Sequence, residues 1–295
     1  MEKQKFPLKS FQLAQALCSC DGLVLLKNPL ADKQYVLWNP STGNYRALSC
    51  PDNHLYYNDE PRNVSAYGLC YESSVGDYKV ILIYDLFYAV YSLINGSWTT
   101  KTSFPCPVLA VGGNCGSSGI STEGCVFWSL NRRKPFIDKA STIICFDVKS
   151  NEVEKLPTPD LVGEKDFFRL TSLKGCLRLY GRIEKKQLDI WIMEQDGNWK
   201  WLMNVCNLPT ICKTFVEGRK LLCCTGNGEV IFEGWQCLLI YNPRKQLLRA
   251  IQKSKIAKLA LICLDSLYFS SLNIKCKRKQ STIPLTTRRP KVQKK

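Results

Sequence analysis

Tyr35-Val36-Leu37-Trp38-Asn39-Pro40-Ser41-Thr42-Gly43-Asn44-Tyr45-Arg46-Ala47-Leu48 reads as two short strands joined by a tight turn. The first strand is apolar and ends on Trp38. Residues 39–44 supply turn chemistry: proline fixes φ, glycine accepts φ > 0, and asparagine side chains bond to nearby backbone. One such hairpin is ordinary. Its recurrence decides the fold.

Four further stretches repeat the pattern: Tyr88 to Trp98, with Asn95-Gly96 as the turn, then Thr142 to Val153, Leu188 to Trp199, and Leu238 to Leu248, which restores the Asn-Pro as Asn242-Pro243. Their key aromatics, Trp38, Tyr91, Phe146, Trp191 and Tyr241, recur every 45 to 55 residues. A second element precedes most hairpins, a glycine followed by an apolar strand. It occurs as Gly22-Leu23-Val24-Leu25-Leu26, Gly124-Cys125-Val126-Phe127-Trp128, Gly175-Cys176-Leu177-Arg178-Leu179 and Gly228-Glu229-Val230-Ile231-Phe232. In the second unit Tyr67-Gly68-Leu69-Cys70-Tyr71 and Asp77 to Ile83 fill that slot. Each unit offers three or four short strands in roughly 50 residues, the period of a kelch-like propeller blade. Sustained helical periodicity is absent. The expected fold is all-β, a β-propeller-like array of about five blades, one that could begin part-way through its first blade. An open sheet of that many strands would have long edges to protect, which favours radial packing.

Composition narrows the function. The segment 275–295 holds nine Lys and Arg and no acid, so of the formal charge of +16 only +7 is spread over residues 1–274. Any electrostatic case for nucleic acid concerns the tail and not the fold. The expected organisation is a folded domain over 1–274 and a disordered basic tail over 275–295. The sixteen cysteines include no Cys-x-x-Cys pair, and His54 is the only histidine. That spacing argues against zinc, and the start of the chain has no apolar segment ahead of a cleavage site, which argues against a disulfide framework. Cys70, Cys125, Cys145, Cys176, Cys237 and Cys263 sit in apolar runs, where reduced cysteine acts as a small hydrophobe. No cofactor or membrane span is expected.

Catalysis has little support. A nucleophile-histidine arrangement would have to use His54, in a polar loop beside Asp52 and Asn53. The glycine-rich Gly112 to Gly119 lacks the Lys-Ser/Thr of a phosphate loop and reads as a flexible connector. The five aromatics occupy equivalent positions and read as blade core. Recognition is expected where the repeats differ: His54 with Tyr56-Tyr57, the 112–119 loop, Arg132-Arg133-Lys134, and Lys185-Lys186. In the tail, Lys277-Arg278-Lys279 and Arg288-Arg289 with Lys291 have the spacing of a bipartite nuclear-import signal. Cytoplasm, nucleus or both is the expected location.

The ordered series Cys20-Asp21-Gly22-Leu23, Leu37-Trp38-Asn39-Pro40, Tyr67-Gly68-Leu69-Cys70-Tyr71, Asp77-Tyr78-Lys79-Val80, Ile144-Cys145-Phe146-Asp147 and Asp189-Ile190-Trp191-Ile192-Met193 resembles the plant F-box-associated interaction domain (type 1). That domain occurs in F-box/kelch-repeat and S-locus F-box proteins. The resemblance covers roughly Phe6 to Leu272. It implies a non-enzymatic, substrate-recognition part of an SCF-type E3 ubiquitin ligase, whose partner is a protein target to be ubiquitinated. In that family an N-terminal F-box docks a Skp1-like adaptor. This chain shows no F-box before Phe6, so the adaptor contact is carried over to no residue here. A decoy that captures targets without delivering ubiquitin is the alternative, and a nucleic-acid binder acting through the basic tail is the lesser one.

Overall fold

Each recurring hairpin forms the outer half of an antiparallel sheet. The computed structural model of the chain describes residues 14–28, 35–48, 56–57, 60–61, 64–84, 87–102, 117–122, 124–131, 141–159, 167–173, 175–183, 187–194, 197–205, 220–224, 229–233, 237–242, 244–245 and 247–252. Blade 1 runs β1 (Gln15–Cys20), β2 (Leu23–Lys27), β3 (Tyr35–Trp38) and β4 (Tyr45–Leu48) in sequential order. A small ribbon follows, β5 (Tyr56–Tyr57) with β6 (Glu60–Pro61). Blade 2 holds β7 (Ala66–Glu72), β8 (Asp77–Ile83), β9 (Tyr88–Ser92) and β10 (Ser97–Lys101), with β11 (Ser117–Ser118) added in parallel to β7.

Blade 3 is β12 (Ile120–Thr122), β13 (Cys125–Asn131), β14 (Ser141–Asp147) and β15 (Glu152–Leu156). Blade 4 is β16 (Phe167–Leu173), β17 (Cys176–Ile183), β18 (Gln187–Met193) and β19 (Trp199–Val205). Blade 5 is β20 (Lys220–Cys224), β21 (Val230–Glu233), β22 (Cys237–Asn242) and β23 (Leu247–Gln252). Each blade packs its inner strands on those of the next, through β1 and β7, β7 and β12, β12 and β16, and β16 and β20. The result is an all-β, five-bladed propeller arrangement, with no helix among the described residues. Blade 1 has all four strands, so the shortfall considered for it is not found.

The strand patterns follow from what covers each face. Leu23, Val24, Leu25 and Leu26 are consecutive and all buried, as a strand covered on both faces requires. The outermost strands β10 and β15 alternate exposed and half-buried residues. Three apolar seams join the first four blades. Leu25 and Leu37 meet Leu69 and Val80 between blades 1 and 2. Ile81 and Tyr88 meet Trp128 and Phe146 between blades 2 and 3. Phe127 and Ile143 meet Leu179 and Trp191 between blades 3 and 4. Burying one such side chain contributes about 1.5–3 kcal/mol before entropy is counted.

The five repeat aromatics are all buried on the third strand of their blades. Trp38 pairs with Val24, Tyr91 with Val80, Phe146 with Val126 and Tyr241 with Val230. Blade 4 departs from strict equivalence. Leu177 holds the second place after the turn glycine Gly175, as Val24 and Val126 do after Gly22 and Gly124, yet Trp191 pairs with Leu179, two residues further along. A bulge between Ile190 and Trp191 adds Leu202 to the outer strand there.

The glycine-rich stretch also corrects its sequence reading. Its end, Ser117-Ser118-Gly119, is ordered structure: Ser117 donates to Ser65 O at 2.9 Å and Gly119 to Tyr67 O at 2.7 Å. Gly119 is there because nothing larger fits. A Cβ on it would lie 2.5 Å from Val126 and 2.7 Å from the Trp128 ring, and a Cβ on Gly68 would lie 2.6 Å from that ring. The Trp128 indole slots between these two glycines and donates its N–H to Tyr67 O at 2.9 Å.

Candidate interaction face

Antiparallel meanders put alternate connections at opposite ends of the propeller. One end carries the short turns after β1 and β3 and their equivalents in later blades. These are built tightly. Asn39 caps its turn by accepting at Oδ1 from the N–H groups of Ser41 (2.9 Å) and Thr42 (3.1 Å). Asp77 ties two turns of blade 2 together, accepting from Ser92 Oγ at 2.6 Å and from Ile94 N at 2.9 Å. Contacts between blades also gather at this turn end. Arg46 Nη1 donates to Leu93 O at 2.6 Å, and the Thr122 hydroxyl donates to Gly175 O.

The most elaborate turn-end contact surrounds Lys79. Its ammonium pairs with Glu72 at 2.7 Å and donates to Val148 O at 2.8 Å and to Asn151 Oδ1 at 2.7 Å. Asn151 reaches it from a left-handed backbone conformation, φ 57°, and its own carbonyl accepts from the Tyr88 hydroxyl at 3.0 Å. Ser74 Oγ donates to the other Glu72 oxygen at 2.9 Å. The hydrogen bond from Lys79 holds the Glu72 carboxyl below the usual glutamate range, against the opposing effect of burial. This is a charge pair whose partners are all supplied by the fold.

The other end, the loop end, carries the connections between the second and third strands of each blade, which are short in blades 2, 4 and 5, and the longer connections from one blade to the next. The recognition candidates read from the sequence belong to connections whose flanking strands end on this side. His54, Tyr56 and Tyr57 lie between β4 and β7; Arg132, Arg133 and Lys134 between β13 and β14; Lys185 and Lys186 between β17 and β18. The structure describes the backbone of Tyr56 and Tyr57, which pair with Pro61 and Glu60. His54, Arg132, Arg133, Lys134, Lys185 and Lys186 lie outside the described residues. So do the import-signal candidates Lys277, Arg278, Lys279, Arg288, Arg289 and Lys291, Cys263, and the whole 275–295 tail. Strand ends bring the connections into register: Asn131 faces Ser141 and Ile183 faces Gln187 at the exits of blades 3 and 4.

The connections differ in charge. The one after β13 holds Arg132, Arg133, Lys134 and Lys139 against Asp138, whereas the one after β4 holds Asp52, Asp59 and Glu60 against Arg62.

The thiols bear on catalysis. Burial pushes Cys20 up to about 12, its hydrogen bond with Ser121 only partly opposing this. Burial also raises Cys70, and a hydrogen bond with Cys125 together with burial raises Cys145. Thiols held protonated are poor nucleophiles. Cys70 and Cys145 are buried filler, as expected, and Cys18 is buried too, whereas Cys125, Cys176 and Cys237 are only half-buried.

The described residues thus form a five-bladed propeller with short turns at one end and the blade-to-blade connections at the other. Comparison with known proteins gives its kin. Residues 2–273 match the model of the F-box associated beta propeller domain, and the chain belongs to that family. It is similar to an F-box/kelch-repeat protein of Arabidopsis thaliana, 30% identical over 204 residues that cover 66% of this chain and 53% of the relative. An Arabidopsis thaliana F-box protein is 26% identical over 275 residues, covering 77% and 63% of the two chains. The F-box protein CPR1 of Arabidopsis thaliana is 26% identical over 259 residues, covering 77% and 60%. The chain thus spans about half to three fifths of the length of these relatives.

Proposed function

We propose that this chain is the target-recognition propeller of an SCF-type ubiquitin ligase subunit, non-catalytic itself, which captures a protein target on its loop end. Membership of the F-box-associated propeller family is the observation that carries this reading. The turn end is closed by its own hydrogen bonds, which leaves the end with the blade-to-blade connections as the choice of face. The raised Cys20, Cys70 and Cys145 thiols fit a module that binds without chemistry.

The test compares charge reversals at the two ends. The triple variant Arg132→Glu, Arg133→Glu, Lys134→Glu and the turn-end control Lys149→Glu are each expressed in plant cells with the proteasome inhibited. The expected outcome is loss of ubiquitinated co-purifying proteins from the triple variant alone. Equal losses, or none, would refute the assignment of the loop end. Direct binding of a Skp1-like adaptor to the purified chain separates ligase delivery from the alternative, a capturing decoy. For the tail we propose nuclear import, tested by the distribution of a fluorescent fusion with Lys277, Arg278 and Lys279 changed to Ala. An unchanged distribution would end that idea.

A further inference from the structure

The seam between blades 4 and 5 differs in kind from the three before it. In blade 4, Leu170, Leu177, Leu179 and Trp191 face blade 3. Strand alternation therefore turns Arg169, Thr171, Arg178 and Tyr180 toward blade 5. Two contacts confirm the direction: the Thr171 hydroxyl donates to Leu221 O at 3.1 Å, and Leu221 N donates to the Tyr180 hydroxyl at 2.8 Å. Arg178 pairs with Thr171 and Arg169 with Tyr180, so the two arginines are diagonal neighbours on one face.

No carboxylate among the described residues answers Arg178. Asp189 lies on the opposite face of the sheet, where it accepts from the Trp201 indole at 3.1 Å. Glu194 is held by Lys200 at 3.1 Å and Glu229 by Arg249 at 2.8 Å. The Nε of Arg178 is buried and meets no hydrogen-bond partner. Arg178 is half-buried as a residue, but its guanidinium offers five donors in a rigid fork, and leaving the buried Nε–H donor unmatched is costly. Such an orphan marks the place of an ion that completes the site.

We propose that the blade 4–blade 5 seam is a binding site for a compact oxyanion, a phosphate group free or carried on a small metabolite. Arg178 supplies the fork that receives it and Arg169 the second positive charge. The phosphate stabilises this seam by answering Arg178, which separates this site from target capture at the loop end.

The test is a phosphate titration of the whole chain at constant ionic strength, with chloride as the exchanged anion. Melting temperature and calorimetric binding are both read. Wild type is expected to gain melting temperature saturably with inorganic phosphate. Arg178→Met should weaken phosphate binding about tenfold or more, as loss of a charge-assisted fork does, while melting in chloride no lower than wild type. Arg178→Lys, which keeps the charge and loses the fork, should fall between the two. A phosphate response unchanged in Arg178→Met would overturn the proposal. So would a lower melting temperature of that variant in chloride, because it would reveal a protein partner for Arg178. Acetate in place of phosphate reads the alternative source of the anion: an equal response to acetate would overturn the assignment to phosphate.

Discussion

The seam between blades 2 and 3 buries a cation and the seam between blades 4 and 5 half-buries one, and they treat it oppositely. Lys79 has a carboxylate, a carbonyl and an amide oxygen within 2.8 Å, set into a cluster that includes Ile81, Tyr88, Trp128 and Phe146. Arg178 has a buried Nε with no partner, on a face that also carries Arg169 and Thr171. A buried charge is tolerable when its donors are all used and destabilising when one partner is removed. The first seam is thus self-sufficient and the second is completed from outside. Within one fold, equivalent seams serve as cement in one place and as a receptor in another.

The comparison can be broken most forcefully at Trp128. Trp128→Ala should cost about 3–5 kcal/mol in urea unfolding, as loss of a fully packed aromatic does. A cost below about 1 kcal/mol would mean that the seam is not the tight one described. Lys79→Met should cost about 3 kcal/mol, because it strands the Glu72 carboxylate. The double variant Lys79→Met, Glu72→Leu should recover much of that loss. Gly119→Ala should cost about 1–3 kcal/mol through overpacking against the rigid Trp128 ring. If Gly119→Ala unfolds at the same urea concentration as wild type, the indole has room to move and the slot is not tight.

Acid sharpens the contrast. The Glu72 carboxyl titrates below its ordinary value in the folded chain, so its contribution is present above about pH 4.5 and is lost as pH falls through the folded value. The gap in melting temperature between wild type and Glu72→Gln should narrow from about pH 6 to about pH 3. A constant gap would show that ionisation of Glu72 is not what joins these blades. The smallest effect is expected at Arg178. In phosphate-free buffer Arg178→Met should be at least as stable as wild type, since no group among the described residues loses a partner.

The five hairpins and their aromatics were legible because local patterns encode them: an apolar run, a turn, and a return at regular spacing. Gly119 was misread for an equally physical reason. A glycine needed for close approach to Trp128 and a glycine in a loose loop look the same in one dimension. The Lys79 site was hidden in the same way, since Asn151 lies 72 residues further along the chain. The register of Trp191 also escaped the pattern, because it is set where β17 pairs with β18, and a two-residue shift there keeps the same face inward and leaves the hydrophobic alternation unchanged. For the interaction face the sequence singled out residues, and strand connectivity showed that their connections leave from one end. Arg178 was within a quoted motif, yet only the pairing of its strand shows which way it faces.

The segment from Ser117 to Thr122 joins two blades at once, parallel to β7 and then antiparallel to β13. This gives the chain a timetable during synthesis. Blade 2 cannot finish its inner edge until Ser118 has left the ribosome, and that edge is then continuous with the first strand of blade 3. Blades 2 and 3 therefore mature as a pair, and the nascent chain carries an unsealed strand edge until both are made.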